Sequence, residues 1–194
     1  QLGWRVGVVA QSHTVVEHVL HGLVRTGLPP ERIGKRARVA RTEDLAALGL
    51  SEPAATPWVT LDSYGHRDFL DRHAQAGAVV GGTAWDFANR RRFDPGELDL
   101  LVVDEAYAQF APWSALELAD EERPLVITRT FSKTWSMAAA RLGYLLAPTW
   151  VVDQLDKVVL PYHLDSLKQA AGVLALDHVE EMNERVSLLV EERG

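Results

Sequence analysis

The sequence contains no cysteine, and this absence excludes several kinds of chemistry at once. A chain without cysteine has no disulfide, no thiolate zinc site and no cysteine nucleophile. No apolar run approaches the roughly 20 residues that cross a bilayer, and no signal peptide is recognisable at the start. We therefore expect a cytoplasmic protein. The chain begins at Gln1 and stops after Glu191-Glu192-Arg193-Gly194, so we expect a fragment of a longer protein.

Positive charge is scarce in the second half of the chain. Residues 1–97 have 12 Lys and Arg against 11 Asp and Glu, whereas residues 98–194 have 8 against 16. The net charge of −7 argues against a dedicated nucleic-acid-binding protein. The step between the halves predicts two segments, 1–97 and 98–194, with different surface demands.

Short apolar runs alternate with helical patterns along the chain. Strands are predicted at Arg5–Ala10, Ala78–Gly82, Leu98–Asp104, Leu125–Arg129 and Tyr144–Ala147. Helical patterns cover Val15–Leu23, Glu43–Leu48, Arg67–Gln75, Lys133–Ala140, Trp150–Val158 and Ser166–Glu192. The alternation predicts an α/β layered fold, with a mainly parallel sheet and helices on both faces. One continuous sheet across both segments is an alternative to two separate sheets. Ligands of such sheets bind beyond the carboxyl ends of the strands.

Polar residues follow the strands of the second half. Asp104 and Tyr107 follow one strand, Ser132 and Lys133 follow the next, and Arg141 comes eight residues after the lysine. A lysine among apolar residues at a sheet edge loses hydration, which favours its neutral, nucleophilic amine. If the segment is helical, Arg141 lies about two turns further on and faces the same pocket. An arginine near a serine hydroxyl and a helix N-terminus suits a phosphate.

Each of these residues also has an ordinary structural interpretation. Asp104 with Glu105 is compatible with a cap or a surface ion pair. A lysine after a strand is usually solvated, and Tyr107 is compatible with simple packing. Arg141 is compatible with a charge at a helix C-terminus.

Three motifs in a fixed order carry a family resemblance. They are Val103-Asp104-Glu105-Ala106-Tyr107, Thr130-Phe131-Ser132-Lys133 and Ala140-Arg141-Leu142-Gly143-Tyr144. This series resembles the class I and II pyridoxal-phosphate aminotransferases, with the histidinol-phosphate aminotransferases as the nearest branch. Leu160–Leu164 also resembles that family's passage into its small domain. The resemblance implies an aminotransferase large-domain fold for residues 98–194.

The resemblance also implies roles for the matching residues. Lys133 forms the Schiff base with pyridoxal 5'-phosphate and then moves the proton. Asp104 pairs with the protonated ring nitrogen, and Tyr107 hydrogen-bonds the phenolic oxygen of the ring. Ser132 and Arg141, together with Thr130, hold the phosphate. No metal ion is implied.

The implied reaction is transamination in amino-acid biosynthesis, carried out by a homodimer. The substrates are a small-molecule amino donor, an amino acid or a phosphorylated amino alcohol such as histidinol phosphate, and a 2-oxo acid. The family's Asn-Pro-x-Asn-Pro-Thr-Gly stretch is absent from the interval His73–Thr83. The arginine that reads the substrate carboxylate is expected beyond Gly194. We therefore expect incomplete activity from these 194 residues.

The first half resembles a different family. Val6–His13, Val79–Trp85 and Leu100–Ala106 are similar to pieces of a superfamily-one helicase ATPase, which makes the chain a possible chimera. Asp104-Glu105 is then a Walker B pair that holds Mg²⁺ and polarises water, in a protein that acts on nucleic acid. A phosphate-binding loop is not found, because Gly27 and Gly34-Lys35-Arg36 have the wrong spacing and lack the hydroxyl. An inactive hybrid is the third alternative.

Overall fold

A computed structural model of the protein describes residues 3–36 and 56–193. The chain forms two compact units, residues 1–102 and 103–194. The division falls inside the strand Leu100–Asp104. The helical pattern predicted at Glu43–Leu48 lies outside the described residues.

The first unit is built on parallel strands. Its strand order is β3-β2-β4-β1, and the pairs β1 with β4, β2 with β4 and β2 with β3 are all parallel. The predicted strand at Ala78–Gly82 is confirmed, and the one at Arg5–Ala10 is one residue shorter. The strands are β1 Arg5–Val9, β2 Ile33–Arg36, β3 Val59–Leu61 and β4 Ala78–Gly82, and β5 Leu100–Asp104 starts in this unit.

Helices cover both faces of this sheet. Val79 packs with Val16 and Leu20, whereas the next residue, Val80, packs with Phe69 and Leu70. Successive residues of a strand point to opposite faces, so these two clusters lie on opposite sides. The helices are α1 His13–Arg25, α2 His66–Arg72 and the short α3 Ala84–Phe87. The predicted layered α/β fold with a mainly parallel sheet is confirmed.

The second unit contains one antiparallel pair of strands. In that pair Arg129 lies opposite Tyr144 and Thr130 lies opposite Gly143. An apolar core of Phe131, Trp135, Leu142, Met182 and Val186 fills this unit. Its elements are β6 Leu125–Thr130, β7 Gly143–Leu146, α4 Thr149–Leu155, α5 Ser166–Leu176 and α6 Val179–Glu192, with 3-10 turns at Ala108–Phe110, Ala115–Leu118 and Ala138–Ala140.

The helix predicted at Lys133–Ala140 is wrong. Ser136 has a φ of 57°, and the amide of Met137 donates to the carbonyl of Phe131 at 3.0 Å. A left-handed serine interrupts a right-handed helix, and burial of Trp135 against Phe131 holds the turn in place. The apolar residues that suggest a helix therefore belong to a loop, and they pack into the core of the second unit.

The helix predicted at Ser166–Glu192 is present as two helices, with a break at Asp177 and His178. Acidic residues Glu180 and Glu181 lie in the first turn of α6, where the helix dipole favours negative charge. Neither of these helices, nor any other in the described parts of the chain, is long and apolar enough to cross a membrane.

Candidate active site

Asp104 ends β5 and begins a turn that carries Tyr107. The carboxylate of Asp104 accepts a hydrogen bond at 3.0 Å from the amide of Ala106, which is an Asx turn. The amide of Glu105 donates to the carbonyl of Thr128 on β6 at 2.9 Å. Tyr107 is 39% exposed. The turn is therefore attached to β6 and presents its tyrosine to solvent.

Lys133 lies three residues after the end of β6. Its amine is 5.1 Å from the centre of the Tyr107 ring, a cation–π contact. The side chain is exposed. The two residues that the sequence places after neighbouring strands are thus in contact.

Ser132 and Arg141 also lie together. A guanidinium nitrogen of Arg141 is 3.4 Å from the Ser132 hydroxyl and donates at 3.1 Å to the carbonyl of Ala138. The proximity does not arise from a helix. The amide of Phe131 donates to the carbonyl of Leu142 at 3.1 Å, which closes the loop and brings its ends together.

Thr130 holds the base of the same loop. Its hydroxyl accepts from the amide of Ser132 at 3.0 Å and lies 3.4 Å from the carbonyl of Leu142. The hydroxyl is therefore already engaged within the protein. Its predicted contact with a phosphate stays a prediction, as do the roles of the other site residues.

Arg141 has a left-handed backbone with a φ of 50° and a ψ of 43°. Non-glycine residues adopt this conformation at a cost of about 1–3 kcal/mol, and such residues are enriched at functional sites. The conformation directs an exposed cation to the side of Ser132.

The charges of these residues are left without ionic partners. Between residues 56 and 193, Asp104, Lys133 and Arg141 form no ion pair, while the neighbouring Glu105 and Arg129 pair at 2.8 Å. A carboxylate, an amine and a guanidinium without ion-pair partners fit the ring nitrogen, aldehyde and phosphate of pyridoxal phosphate.

Sequence analysis missed the cluster around Glu105. This carboxylate is 8% exposed and binds Arg129, the hydroxyl of Ser114 and the amide of Ala115. Burial lowers the pKa of Arg129, but hydrogen bonds with Glu105 and Tyr144 more than offset it and leave that pKa above its ordinary value. An ion pair was among the expected interpretations of Asp104-Glu105. The structure places it inside the unit, on the second of these residues.

The second half of the chain is similar in sequence to proteins of one enzyme family. Residues 99–193 match the family model described as aminotransferase class I and II. The histidinol-phosphate aminotransferase of Mycobacterium sp. (strain KMS) is 42% identical over 106 residues, 54% of this chain and 28% of that protein. The enzyme of the same name from Geotalea daltonii is 46% identical over 93 residues, 48% of this chain and 27% of that protein.

The fold likeness extends further along the chain than the sequence match. The crystal structure of histidinol-phosphate aminotransferase from Sinorhizobium meliloti in complex with pyridoxal-5'-phosphate superposes with a TM-score of 0.50 at 19% identity. The superposition covers 89% of this chain and 51% of that one. It therefore includes residues of the first unit. In sequence, the chain spans less than a third of the length of the curated relatives it matches.

Proposed function

We propose that the second unit binds pyridoxal phosphate at Lys133 and takes part in transamination, because residues 99–193 match the family model of class I and II aminotransferases. The family uses this cofactor. The observation that carries the proposal is the set of unpaired charges on Asp104, Lys133 and Arg141, which lie on two turns joined through β6. The proposed substrates are a small amino donor of the histidinol-phosphate kind and a 2-oxo acid.

Pyridoxal phosphate, when bound, withdraws electrons from the reacting carbon of an amino substrate. In the proposed site the protein contributes position and charge. The Arg141 guanidinium and the Ser132 hydroxyl would donate to the phosphate, and the carboxylate of Asp104 would keep the ring nitrogen protonated.

Lys133 has two proposed tasks. If the cofactor is bound, the Lys133 amine would hold it covalently, and the same amine would accept and return a proton at the reacting carbon of the substrate. The cation–π contact with Tyr107 positions the lysine beside the phenol that is proposed to hydrogen-bond the ring oxygen.

We also propose that the complete enzyme is a homodimer, as the resemblance implies. The ATPase alternative stays a prediction. No observation on the described residues favours it. The carboxylate of Glu105, which would have to polarise water, is engaged by Arg129 and Ser114.

The proposal is tested by titration with pyridoxal phosphate, borohydride reduction and peptide mapping. We expect the reduced cofactor on the peptide that contains Ser132-Lys133-Thr134, and loss of the visible absorption band in Lys133→Ala. Lys168→Ala is the matched control, because Lys168 is an exposed lysine of the same unit in an ion pair with Asp165. The control keeps the band. Labelling at Lys35, Lys157 or Lys168 instead of Lys133 contradicts the proposal.

A further inference from the structure

Glu105 is a buried acid at the centre of the candidate site that has no assigned role. Its carboxylate lies 2.8 Å and 3.2 Å from two nitrogens of Arg129. The Ser114 hydroxyl lies 2.8 Å and 3.1 Å from its two oxygens, and the amide of Ala115 donates at 2.6 Å. All of these partners belong to the second unit.

The main chain of Glu105 is held as firmly as its side chain. Its amide donates to Thr128, and its carboxylate binds Arg129, so both contacts are to consecutive residues of β6. That strand continues into the loop with Ser132 and Lys133. Glu105 itself lies between Asp104 and Tyr107. One residue therefore ties the turn with the carboxylate and the phenol to the strand that leads to the lysine.

The contacts of Glu105 are mutually dependent. Ser114 also accepts from Arg129 at 2.8 Å and caps the 3-10 turn at Ala115–Leu118 through the amide of Leu116. The side chain of Arg129 is 15% exposed. Removal of one partner of a buried ion pair leaves the other charge uncompensated, which destabilises the local arrangement more than the pair stabilises it. The cluster thus favours a single geometry of the turn.

We propose that Glu105 is a positioning residue, which acts through Arg129 and Ser114 to hold Asp104 and Tyr107 against the ring of pyridoxal phosphate. This inference rests on the proposed function. Under this proposal Glu105 does not itself contact the cofactor. Its effect is on where the carboxylate of Asp104 lies relative to the ring nitrogen.

The test compares two probes on the 194-residue chain. One is pyridoxal phosphate, and the other is its analogue with carbon in place of the ring nitrogen. The analogue lacks the ring nitrogen that is proposed to pair with Asp104, so the ratio of the two dissociation constants measures that contact. The variant Asp104→Asn gives the ratio expected when the contact is lost. The test variants are Glu105→Gln and Ser114→Ala. Glu117→Gln is the control, because that glutamate is exposed on the neighbouring 3-10 turn.

We expect the unaltered chain to prefer pyridoxal phosphate by about 10-fold to 100-fold, the range of a hydrogen bond to a charged group. Glu105→Gln lowers this preference toward that of Asp104→Asn, Ser114→Ala lowers it partly, and Glu117→Gln leaves it unchanged. Far-ultraviolet circular dichroism establishes that each variant is folded. Should Glu105→Gln not fold, Ser114→Ala decides.

A purely structural role predicts a different result. In that case the variants bind both probes more weakly and keep the preference of the unaltered chain, which overturns the positioning role alone. An unaltered chain that binds without preference overturns it too. If the unaltered chain shows no labelling at Lys133, the proposed function fails first, and this inference fails with it.

Discussion

His66 is the most deeply buried ionisable ring of the first unit. It is 1% exposed, and neither ring nitrogen has a hydrogen-bond partner among the described residues. Its ring packs edge-on against Phe93 with centroids 5.0 Å apart. Burial, with the positive charge of Arg92, lowers the pKa of His66 from 6.5 to about 4. The folded protein therefore excludes a proton that the unfolded chain binds between these pH values.

This buried histidine predicts acid sensitivity. The contribution of His66 to the free energy of unfolding is complete above pH 6.5 and decreases by about 3 kcal/mol as the pH falls to 4. His66→Phe, which cannot titrate, lacks this part of the decrease. Urea unfolding at pH 7, 5.5 and 4.5 measures it, with His18→Gln as a control at an exposed position. Parallel pH profiles of the unaltered protein and His66→Phe contradict the prediction.

Single residues of the candidate site show how far sequence reasoning extends. Lys133 contacts Tyr107 and Arg141 lies beside Ser132, but the roles predicted for these residues stay predictions. Glu105 could not be placed, because whether a strand-end acid faces solvent or a buried arginine depends on the register between β5 and β6. That register is set by contacts distant in sequence.

At the scale of elements, local pattern was a good guide where a helix packs on a strand. The strand at Ala78–Gly82 and the helix around Val15–Leu23 are both predicted from their apolar residues, and these residues pack against each other in the structure. The segment Lys133–Ala140 misled, since its apolar residues serve a loop whose shape depends on left-handed Ser136. A backbone conformation of that kind leaves no trace in hydrophobic spacing.

The contact between α1 and β4 depends on a missing side chain. A Cβ at Gly81 would lie 2.6 Å from a methyl carbon of Val16 and 2.9 Å from one of Leu20, both fully buried. We expect Gly81→Ala to lower the free energy of unfolding by about 1–3 kcal/mol through overpacking. Guanidinium unfolding measures the change.

A control for Gly81→Ala lies in the helix that packs on Gly81. A Cβ at Gly22 of α1 meets nothing within 4 Å. Gly22→Ala is therefore expected to raise the free energy of unfolding by about 0.5–1 kcal/mol, because alanine loses less backbone entropy than glycine in a helix. Equal effects of the two substitutions would show that α1 does not pack on β4 as described.

For the whole molecule, the extent of the match limits the activity to be expected. The sequence match to the histidinol-phosphate aminotransferase of Mycobacterium sp. (strain KMS) covers 28% of that protein. Correct placement of reacting groups contributes several kcal/mol to catalysis, and the contacts that read a substrate carboxylate are not among the matched motifs. We expect weak cofactor capture and transamination far below the roughly 1 per second of ordinary enzymes from these 194 residues alone.

An assay with histidinol phosphate and 2-oxoglutarate measures this activity, with Lys133→Ala and protein-free cofactor as controls. Turnover of about 1 per second or more that Lys133→Ala abolishes would mean that the first unit supplies groups not recognised in its sequence. The resemblance of that unit to a helicase ATPase remains a prediction. The fold likeness to the aminotransferase from Sinorhizobium meliloti, by contrast, covers 89% of the chain and so includes residues of this unit.

The left-handed backbone of Arg141 has a consequence for how this protein responds to selection. A glycine at that position would adopt the same φ of 50° without a steric penalty. Selection for heat resistance alone would therefore favour glycine at this position, whereas selection for cofactor binding would favour arginine if Arg141 holds the phosphate as proposed. Under the proposed role, thermal stability and cofactor binding make opposite demands on residue 141, and variant libraries of this chain should keep the arginine.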